Sequence, residues 1–470
     1  MLENIKENTL ITLFKENLLP GIKGVYLVGG SVRDLLLQLP VSDYDIAVSQ
    51  NPEEFATALS SRLNGRMIPM GKAGAFIYRV ISSIGVFDIS ILKGDSIETD
   101  LMDRDYTINA IAYSFKSQRI TDPLGGKSDL DKKEIRLVSR NALERDPVRL
   151  VRAFRLSAAL GFQIEPQTFE AITEDAHLIR QTASERILVE LNRIFDGSDI
   201  PLILSKMSET RLLFHIIPEL QSTVGCMQNQ HHDFDVFTHT LRAISHIERL
   251  VQEPAAFLPE VEGEISTLFQ KIKKRQFVWA LLLHDVGKPR VKTMDSNGNI
   301  HFFRHAEESS ILSREIFRRL KFSNHDSSEA DFLIRNHVRP LNLFSACRTL
   351  NDGRKAIARF FRACGDRSIP LLLHAIADIR GKSDHLPEQN QEFIHFASNL
   401  IATYRDAYSP MKALPQLING HDLMLHLNLS PSPLIKKILL AIEEARFAGE
   451  IETRGEALLF AKKRIDLLNP

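Results

Sequence analysis

Leu27-Val-Gly-Gly-Ser-Val-Arg-Asp34, then a leucine-rich stretch, then Ser42-Asp-Tyr-Asp45 decide how the N-terminal part of this chain folds. They read as a strand, a Gly-Gly turn, a helix start and two carboxylates one residue apart. The turn, Gly29-Gly30-Ser31, stands at a helix N-terminus, where free backbone N–H groups can receive a phosphate. Asp43 and Asp45 lie at i and i+2, so on a strand both side chains point to one face. Two carboxylates on one face are what a pair of Mg²⁺ ions needs to join a triphosphate to an attacking hydroxyl. The chemistry suggested is nucleotidyl transfer. Taken alone, an Asp-x-Asp pair is more often a solvated surface feature, so the reading depends on its surroundings.

Outward from that stretch, 470 residues are enough for several domains. A hydrophobic content of 44% supports packed cores, and Lys plus Arg balance Asp plus Glu at 59 each. A nucleic-acid partner must therefore be met by a local basic face. The basic run is 136–155, with Arg136, Arg140, Arg145, Arg149, Arg152 and Arg155. Cys226, Cys347 and Cys364 lack metal-motif spacing and cannot all pair with one another, so a reducing cytoplasm is expected. The N-terminus is amphipathic with interspersed acids, unlike a signal peptide, and no apolar run is long enough to span a membrane.

Between 24 and 135, short β-like runs (Gly24–Val28, Phe76–Ile81, Val86–Leu92, Ile135–Val138) alternate with helical ones, which predicts a small α/β domain. From about 141 the pattern is helical, with Leu150, Ala153, Phe154 and Leu156 as a buried stripe. Pro201 and Pro218 punctuate it without restoring strands. Residues 222–235 read as a linker, and 252–267, rich in Glu and Pro, as a surface loop. A last helical unit runs from about 390, with Pro431 and Pro433 at a turn.

Context then strengthens the opening pair. Arg104-Asp-Tyr-Thr-Ile-Asn109, Asp122-Pro-Leu-Gly-Gly with Asp129-Leu130, Arg145-Asp-Pro-Val-Arg-Leu-Val-Arg-Ala-Phe-Arg155 and Ser184-Glu-Arg-Ile follow in order. Asp146, Arg149, Arg152 and Arg155 are spaced in threes, so on a helix neighbouring members share a face. A surface ion-pair ladder would show the same spacing. A carboxylate with a guanidinium also offers acceptors and donors to a base edge, while further arginines take phosphates.

With these motifs in place, the first 220 residues resemble the class II tRNA nucleotidyltransferase/poly(A) polymerase family, which completes the CCA end of tRNA without a nucleic-acid template. The resemblance implies that Asp43 and Asp45 hold Mg²⁺, and that Gly29, Gly30 and Arg33 contact the triphosphate. It implies that Arg104, Asp105 and Asn109 position sugar and phosphates. Asp146 and Arg149 would read the Watson–Crick edge of CTP or ATP, with Arg152 and Arg155 lining the same cleft. Asp88 matches the place of a third acidic residue, a position that an ordinary strand-end acid would also occupy.

Three features depart from the family pattern. Asp103-Arg104-Asp105 stands where Arg-Arg-Asp is usual, and Arg145-Asp146-Pro-Val-Arg149 where Glu-Asp-x-x-Arg is usual. Each reverses a charge beside the cleft. The connection from Asp88 to Arg104 is short, which resembles members that add only the two C residues.

A second constellation follows: His239 in Phe-Thr-His-Thr-Leu-Arg, His284-Asp285-Val-Gly-Lys288 after an apolar run, then His305, His337 and Asp378. This order resembles the HD phosphohydrolase superfamily, which implies that these six residues bind a divalent transition metal or Mg²⁺. Imidazole with carboxylate suits Mn, Ni, Fe, Zn or Mg alike. His301 and His231–His232 read as bland. Members with such an insert resemble bacterial CCA enzymes, some of them with phosphatase or 2′,3′-cyclic phosphodiesterase activity that would trim damaged RNA 3′ ends.

Leu417-Ile-Asn-Gly-His-Asp-Leu, Leu429-Ser-Pro-Ser-Pro and Gly449-Glu-Ile-Glu-Thr-Arg resemble the tRNA-holding tail of the same enzymes. His421-Asp422 reads as a helix-start cap. The fold expected from the resemblance is multidomain: an α/β, polymerase-β-like nucleotidyltransferase head (1–138), then all-α neck (139–221), HD (222–388) and tail (389–470) domains. The expected function is addition of C, or of C and A, from CTP or ATP to a tRNA 3′ end, with a separate A-adding enzyme acting in sequence if only C is added. A poly(A) polymerase or A-adding enzyme is the alternative of the same chemistry. A tRNA-binding HD phosphohydrolase with an inactive head is the alternative of another class.

Overall fold

The computed structural model describes residues 24–72, 75–228, 233–349 and 353–468. The N-terminal stretch before Gly24 and the pair His231–His232 lie outside the described residues. The chain forms two compact units, Met1–Gly197 with Ile203–Ile216, and Ser198–Leu202 with Ile217–Pro470.

The first unit is built on a seven-stranded sheet in the order β3-β4-β5-β2-β1-β6-β7. Its strands are β1 (Val25–Val28), β2 (Asp43–Val48), β3 (Arg66–Lys72), β4 (Ala75–Ser82), β5 (Gly85–Ile91), β6 (Ala112–Ser114) and β7 (Arg119–Thr121). β2 and β5 run parallel; the other neighbours are antiparallel. Alternation decides which face of β2 is which. Tyr44 and Ile46 turn inward while Asp43 and Asp45 point out. The β2–β5 register sets Asp45 beside Asp88, and Tyr44 stacks on Phe87 with ring centroids 5.1 Å apart. Helix α1 (Gly30–Leu36) leaves the Gly-Gly turn, and α2 (Pro52–Arg62) buries Phe55, Ala56 and Leu59. Helix α3 (Ile97–Met102) follows β5 after a short link and is capped by Ser96, whose side chain accepts the Thr99 N–H.

The run Ile135–Val138, read as a strand, is not one. Only β8 (Glu134–Ile135) pairs, with β9 (Gln163–Ile164), and Leu137 makes a single bridge to Tyr106. Arg136 explains the break, because three carboxylates hold it: Asp129, Glu134 and Glu165. Helices α4 (Asn141–Arg145) and α5 (Arg149–Leu160) follow, and Leu150, Ala153, Phe154 and Leu156 are buried as their spacing predicts. Asp146 does not share that helix. It ends α4 in an extended conformation (φ −147°), before Pro147 and the first turn of α5. Helix α6 (Ser184–Asp196) packs against α5.

Among the described residues, the second unit is helical apart from one small hairpin. Helices α7 (Val236–Gln252), α8 (Lys274–Leu283), α9 (His305–Arg319), α10 (Asn324–Asn336) and α11 (Ser368–Arg380) surround its buried polar centre. Between α8 and α9, β10 (Thr293–Met294) pairs with β11 (Ile300–His301). The predicted surface loop at 252–267 is helical instead: Pro254–Phe257, Pro259–Val261 and Glu262–Lys271. Its prolines open helical turns, where no N–H is missed, and Phe257, Leu258, Val261 and Ile265 are buried. In the tail, Leu423, Ile438, Ile442, Ala445, Ile451, Ala457 and Ala461 form a small core. Asp422 does serve a helix start, as the reciprocal partner of Asn419 in a capping box. Pro433 follows the N-cap Ser432 at the next helix. No described helix is long and apolar enough to cross a membrane.

Candidate active site and metal centre

The first site forms where β1 turns into α1. Gly29 has φ +73°, and a Cβ there would lie 2.7 Å from Nη1 of Arg104 and 3.2 Å from Oδ2 of Asp45. Only glycine lets the turn approach both groups. Ser31 ties the turn to β2: its hydroxyl donates to the Val28 carbonyl (3.0 Å) and accepts the Asp45 N–H (3.2 Å). No side chain caps the α1 N-terminus. Although Asp45 reaches solvent, the surrounding protein strips much of its hydration and raises its pKa; Arg104 opposes this, and Asp88 and Asp43 add to it. A carboxylate strained by desolvation and like charge is the kind of group a divalent cation relieves.

Asp88 sits beside Asp45 but is not open. Arg79 on β4 grips it through two bonds, of 2.8 and 2.7 Å. Arg104 is held by Asp100 at 3.0 Å. Arg33 donates to Asn109 Oδ1 (2.6 Å), Asn109 to Asp105 (3.0 Å), and Arg152 pairs with Asp105 (3.0 Å). Burial pushes the Asp105 carboxyl up, but Arg152, Asn109 and the Tyr106 N–H outweigh it and hold the pKa below the usual range. Arg152 and Arg155 both reach Glu190 on α6, at 3.4 and 2.6 Å. Arg149 donates to the backbone carbonyls of Asp103 (3.0 Å) and Arg104 (3.1 Å), and Asp146 receives Arg186 through two bonds of 2.8 Å. The structure thus links Arg33, Asp105, Asn109, Arg152 and Arg155 in one chain of contacts.

Sequence reasoning assigned no role to Arg79, Asp100, Arg186 or Glu190. Arg186 lay in the quoted Ser184-Glu-Arg-Ile run, and Glu190 follows it one helical turn later; Arg79 had no signal before the strands were paired. The basic run proved largely neutralised. Arg136 and Arg140 have carboxylate partners, as do Arg145, Arg152 and Arg155. The two reversed charges meet each other: Arg145 pairs with Asp103, which also binds Lys93 at 2.7 Å. The link from β5 to α3 spans only residues 92–96.

The second site lies wholly within the helical unit. The apolar run of α8 buries Phe277 to Leu283 and carries His284 and Asp285 inside. His239 comes from α7, His305 from the start of α9, His337 from the end of α10 and Asp378 from α11. All six predicted ligands come together, in two groups that share Asp285: His239, His284, Asp285 and Asp378, and Asp285, His305 and His337. Asp285 Oδ2 faces His284 Nε2 (3.1 Å), while Oδ1 faces Nε2 of His305 (3.5 Å) and of His337 (3.8 Å). Nε2 of His239 and His284 lie 3.4 Å apart, and those of His305 and His337 3.0 Å apart.

The tautomers follow from backbone contacts. Nδ1–H of His284 donates to the Leu281 carbonyl (2.7 Å), that of His305 to Phe302 (2.9 Å) and that of His337 to Ile334 (2.7 Å). A carbonyl can only accept, so Nδ1–H is fixed on each ring and Nε2 is the nitrogen turned toward the centre, able to ligate a metal once it carries no proton. Burial lowers the His284 pKa, but Asp285 and Asp378 more than reverse this and hold it at about 10; a bound cation would displace that proton. Asp285 pairs with Lys288 at 2.6 Å, yet neither carboxylate oxygen accepts a hydrogen bond of normal geometry. The donor set, its burial and its tautomers fit a divalent cation. The head carboxylates form no comparably tight donor cluster among the described residues. His374, one turn before Asp378, was missed; its ring lies 5.6 Å from that of His284. His301 belongs to neither ligand group.

Comparison with known proteins adds the following. The model described as "Poly A polymerase head domain" matches residues 25–136, and "Probable RNA and SrmB- binding site of polymerase A" matches 161–223. "HD domain" matches 236–379, and a tRNA nucleotidyltransferase domain 2 model matches 382–461. An A-adding tRNA nucleotidyltransferase of Deinococcus radiodurans is 31% identical over 94% of this chain and 95% of its own. A CC-adding tRNA nucleotidyltransferase of Synechocystis is 27% identical over 93% and 92%. Among solved structures, a CCA-adding enzyme with CTP shares the fold at TM-score 0.69 and 18% identity, over 100% of this chain and 97% of that one. The Thermotoga maritima CCA-adding enzyme with tRNA shares it at TM-score 0.63 and 20% identity, over 94% and 91%.

Proposed function

This chain belongs to the tRNA nucleotidyltransferase/poly(A) polymerase family and is a nucleotidyltransferase with an HD domain; from that premise we propose that it adds C residues from CTP to the 3′ end of tRNA. The observation that carries this reading is the Gly29 turn, which brings Arg104 and Asp45 together beside Asp43 on the same strand face. In this reading Asp43 and Asp45 hold Mg²⁺, with Asp88 behind them. When bound, the metal lowers the pKa of the attacking hydroxyl and neutralises charge on the leaving group. Gly29, Gly30, Arg33 and Arg104 receive the triphosphate; Asp105 and Asn109 orient the sugar. Asp146 and Arg149 present acceptor and donors to the base edge, and Arg152 and Arg155, fixed by Glu190, line the cleft. The tRNA 3′-oxygen bonds to the α-phosphorus, the bond to the β-phosphate oxygen breaks, and pyrophosphate leaves. Positioning and electrostatics carry the rate.

The short link at 92–96 favours C addition alone, with a separate A-adding enzyme completing the end. A addition is the second reading, favoured by the extent of likeness to the Deinococcus A-adding relative. The contact between Asp103 and Arg145 argues against an inactive head, because the two reversals satisfy each other. In the second unit, His239, His284, Asp285 and Asp378 would hold one divalent ion and Asp285, His305 and His337 could hold another, and the metal would supply an activated water for hydrolysis of phosphate esters at RNA 3′ ends. The proposed domains divide at 138/139, 221/222 and 388/389, the second boundary lying a few residues beyond the end of the first compact unit at Ile216, and the protein acts in the cytoplasm.

The test offers purified protein, Mg²⁺ and tRNA transcripts ending at the discriminator base, the first C and the second C. Each receives CTP or ATP alone, with products resolved to one nucleotide. Two C additions and no A are expected. Addition of A to the CC-ended transcript overturns C-only addition, and no addition to any transcript overturns transferase activity.

A further inference from the structure

The HD centre opens into a cavity of about 260 Å³ whose walls include groups that the metal ligands do not explain. Lys382 and Lys288 line it together with Asp285 and His337, and so do His301 and Phe303. Lys288 is occupied by Asp285 and Gln228 (both 2.6 Å). Lys382 is different: among the described residues no carboxylate lies within ion-pair distance of its ammonium group. In the same cavity lining, the His301 and Phe303 rings stack with centroids 5.2 Å apart and planes 13° from parallel. Phe303 is 70% exposed, so much of its ring is open to a flat ligand.

The stack is held in place. Asp295 accepts His301 Nε2–H (3.0 Å), the N–H groups of Asn297 and Asn299 (both 2.9 Å) and the Asn299 side-chain amide (3.0 Å). One carboxylate thus fixes the β10–β11 turn and the plane of the imidazole. A rigid exposed aromatic pair, an unpaired cation and a metal centre around one small cavity describe a receptor for a flat ring joined to a phosphate.

Resting on the HD reading above, we propose that Phe303, backed by His301, stacks the base of a nucleoside phosphate whose phosphate group meets Lys382 at the metal centre. The specificity of the hydrolase site then lies in the hairpin wall and not in the metal ligands. The ligand is a nucleoside 3′-phosphate, free or at the end of an RNA.

The test measures binding by titration calorimetry to the metal-free protein, so that failure of the HD metal site is scored separately by elemental analysis. Probes are adenosine 3′-phosphate, glycerol phosphate as the base-less control, and an RNA ending in a 3′-phosphate. Phe303→Ala is expected to weaken adenosine 3′-phosphate about 5- to 160-fold, the range for one lost base stack, and leave glycerol phosphate unchanged. Phe303→Tyr should retain binding, and Lys382→Met should weaken both small probes. RNA binding tighter than the free nucleotide assigns the wall to RNA ends; equal binding assigns it to free nucleotides. A Phe303→Ala protein with an unchanged ratio between the two small probes overturns the proposal, as does wild-type protein that binds neither. Because Phe303 is exposed, its replacement spares the core.

Discussion

The reversal of two charges beside the transfer cleft offers a sharp test, because the structure makes them one feature. Asp103 pairs with Arg145, and the exposures of the two side chains are 25% and 62%. An ion pair this open is worth about 0.5 kcal/mol. Replacing either partner with the opposite charge loses that and adds a like-charge contact of about 1 kcal/mol at a water-exposed dielectric. Arg145→Glu should therefore cost about 1.5 kcal/mol, a roughly tenfold fall in kcat/KM if all of it reaches the transition state, and Asp103→Arg about 2 kcal/mol, roughly 30-fold, because it also turns a guanidinium toward Lys93. The effect is transmitted because Arg149 bonds the carbonyls of Asp103 and Arg104, so displacing this corner displaces Arg149, which is proposed to read the base. The double variant restores the pair in swapped order. Its residual loss, about 0.5 kcal/mol, comes from Lys93, which would then face a guanidinium in place of the Asp103 carboxylate; Lys93 is 67% exposed and can swing away. The coupling energy is thus about 3 kcal/mol, read from kcat/KM for CTP and for ATP on one tRNA transcript. A double variant whose loss equals the sum of the singles would refute the reasoning. So would a swap that changes the CTP-to-ATP ratio about tenfold, for then the reversed charges set nucleotide choice.

Asp43→Ala should abolish nucleotide addition while leaving metal uptake by the HD site intact; gel-resolved addition and elemental analysis report the two separately, and surviving addition would remove Asp43 from the catalytic role. Asp285→Ala should lose both HD ions and His305→Ala only one, since Asp285 alone belongs to both donor groups; an Asp285→Ala protein that still binds two ions would contradict that shared role. The Asp105 carboxyl is held below its unfolded pKa, so its contribution to stability is present above about pH 4 and fades as the pH falls through the folded value. Circular dichroism across an acid titration should show a shallower acid limb for Asp105→Asn than for wild type; parallel curves would mean that Asp105 does not govern it.

Legibility divided along physical lines. By itself the sequence determined the strand–turn–helix at Leu27–Asp34, the outward face shared by Asp43 and Asp45, the buried stripe of Leu150 to Leu156 and which six His and Asp residues meet in the helical unit. Each rests on short-range periodicity, on glycine's access to positive φ, or on residue types found together in order. Only the tertiary structure decided who neutralises whom. The basic run at 136–155 looked open until Asp129, Glu165, Asp175 and Glu190 folded onto it. Asp103 and Arg145 were two separate anomalies until a separation of 42 residues closed into one contact. Asp285 became the residue common to both groups only when five helices set its two oxygens toward different histidines. Charge pairing and metal geometry depend on distances of a few ångströms between residues far apart in the chain, and local pattern carries no record of those distances.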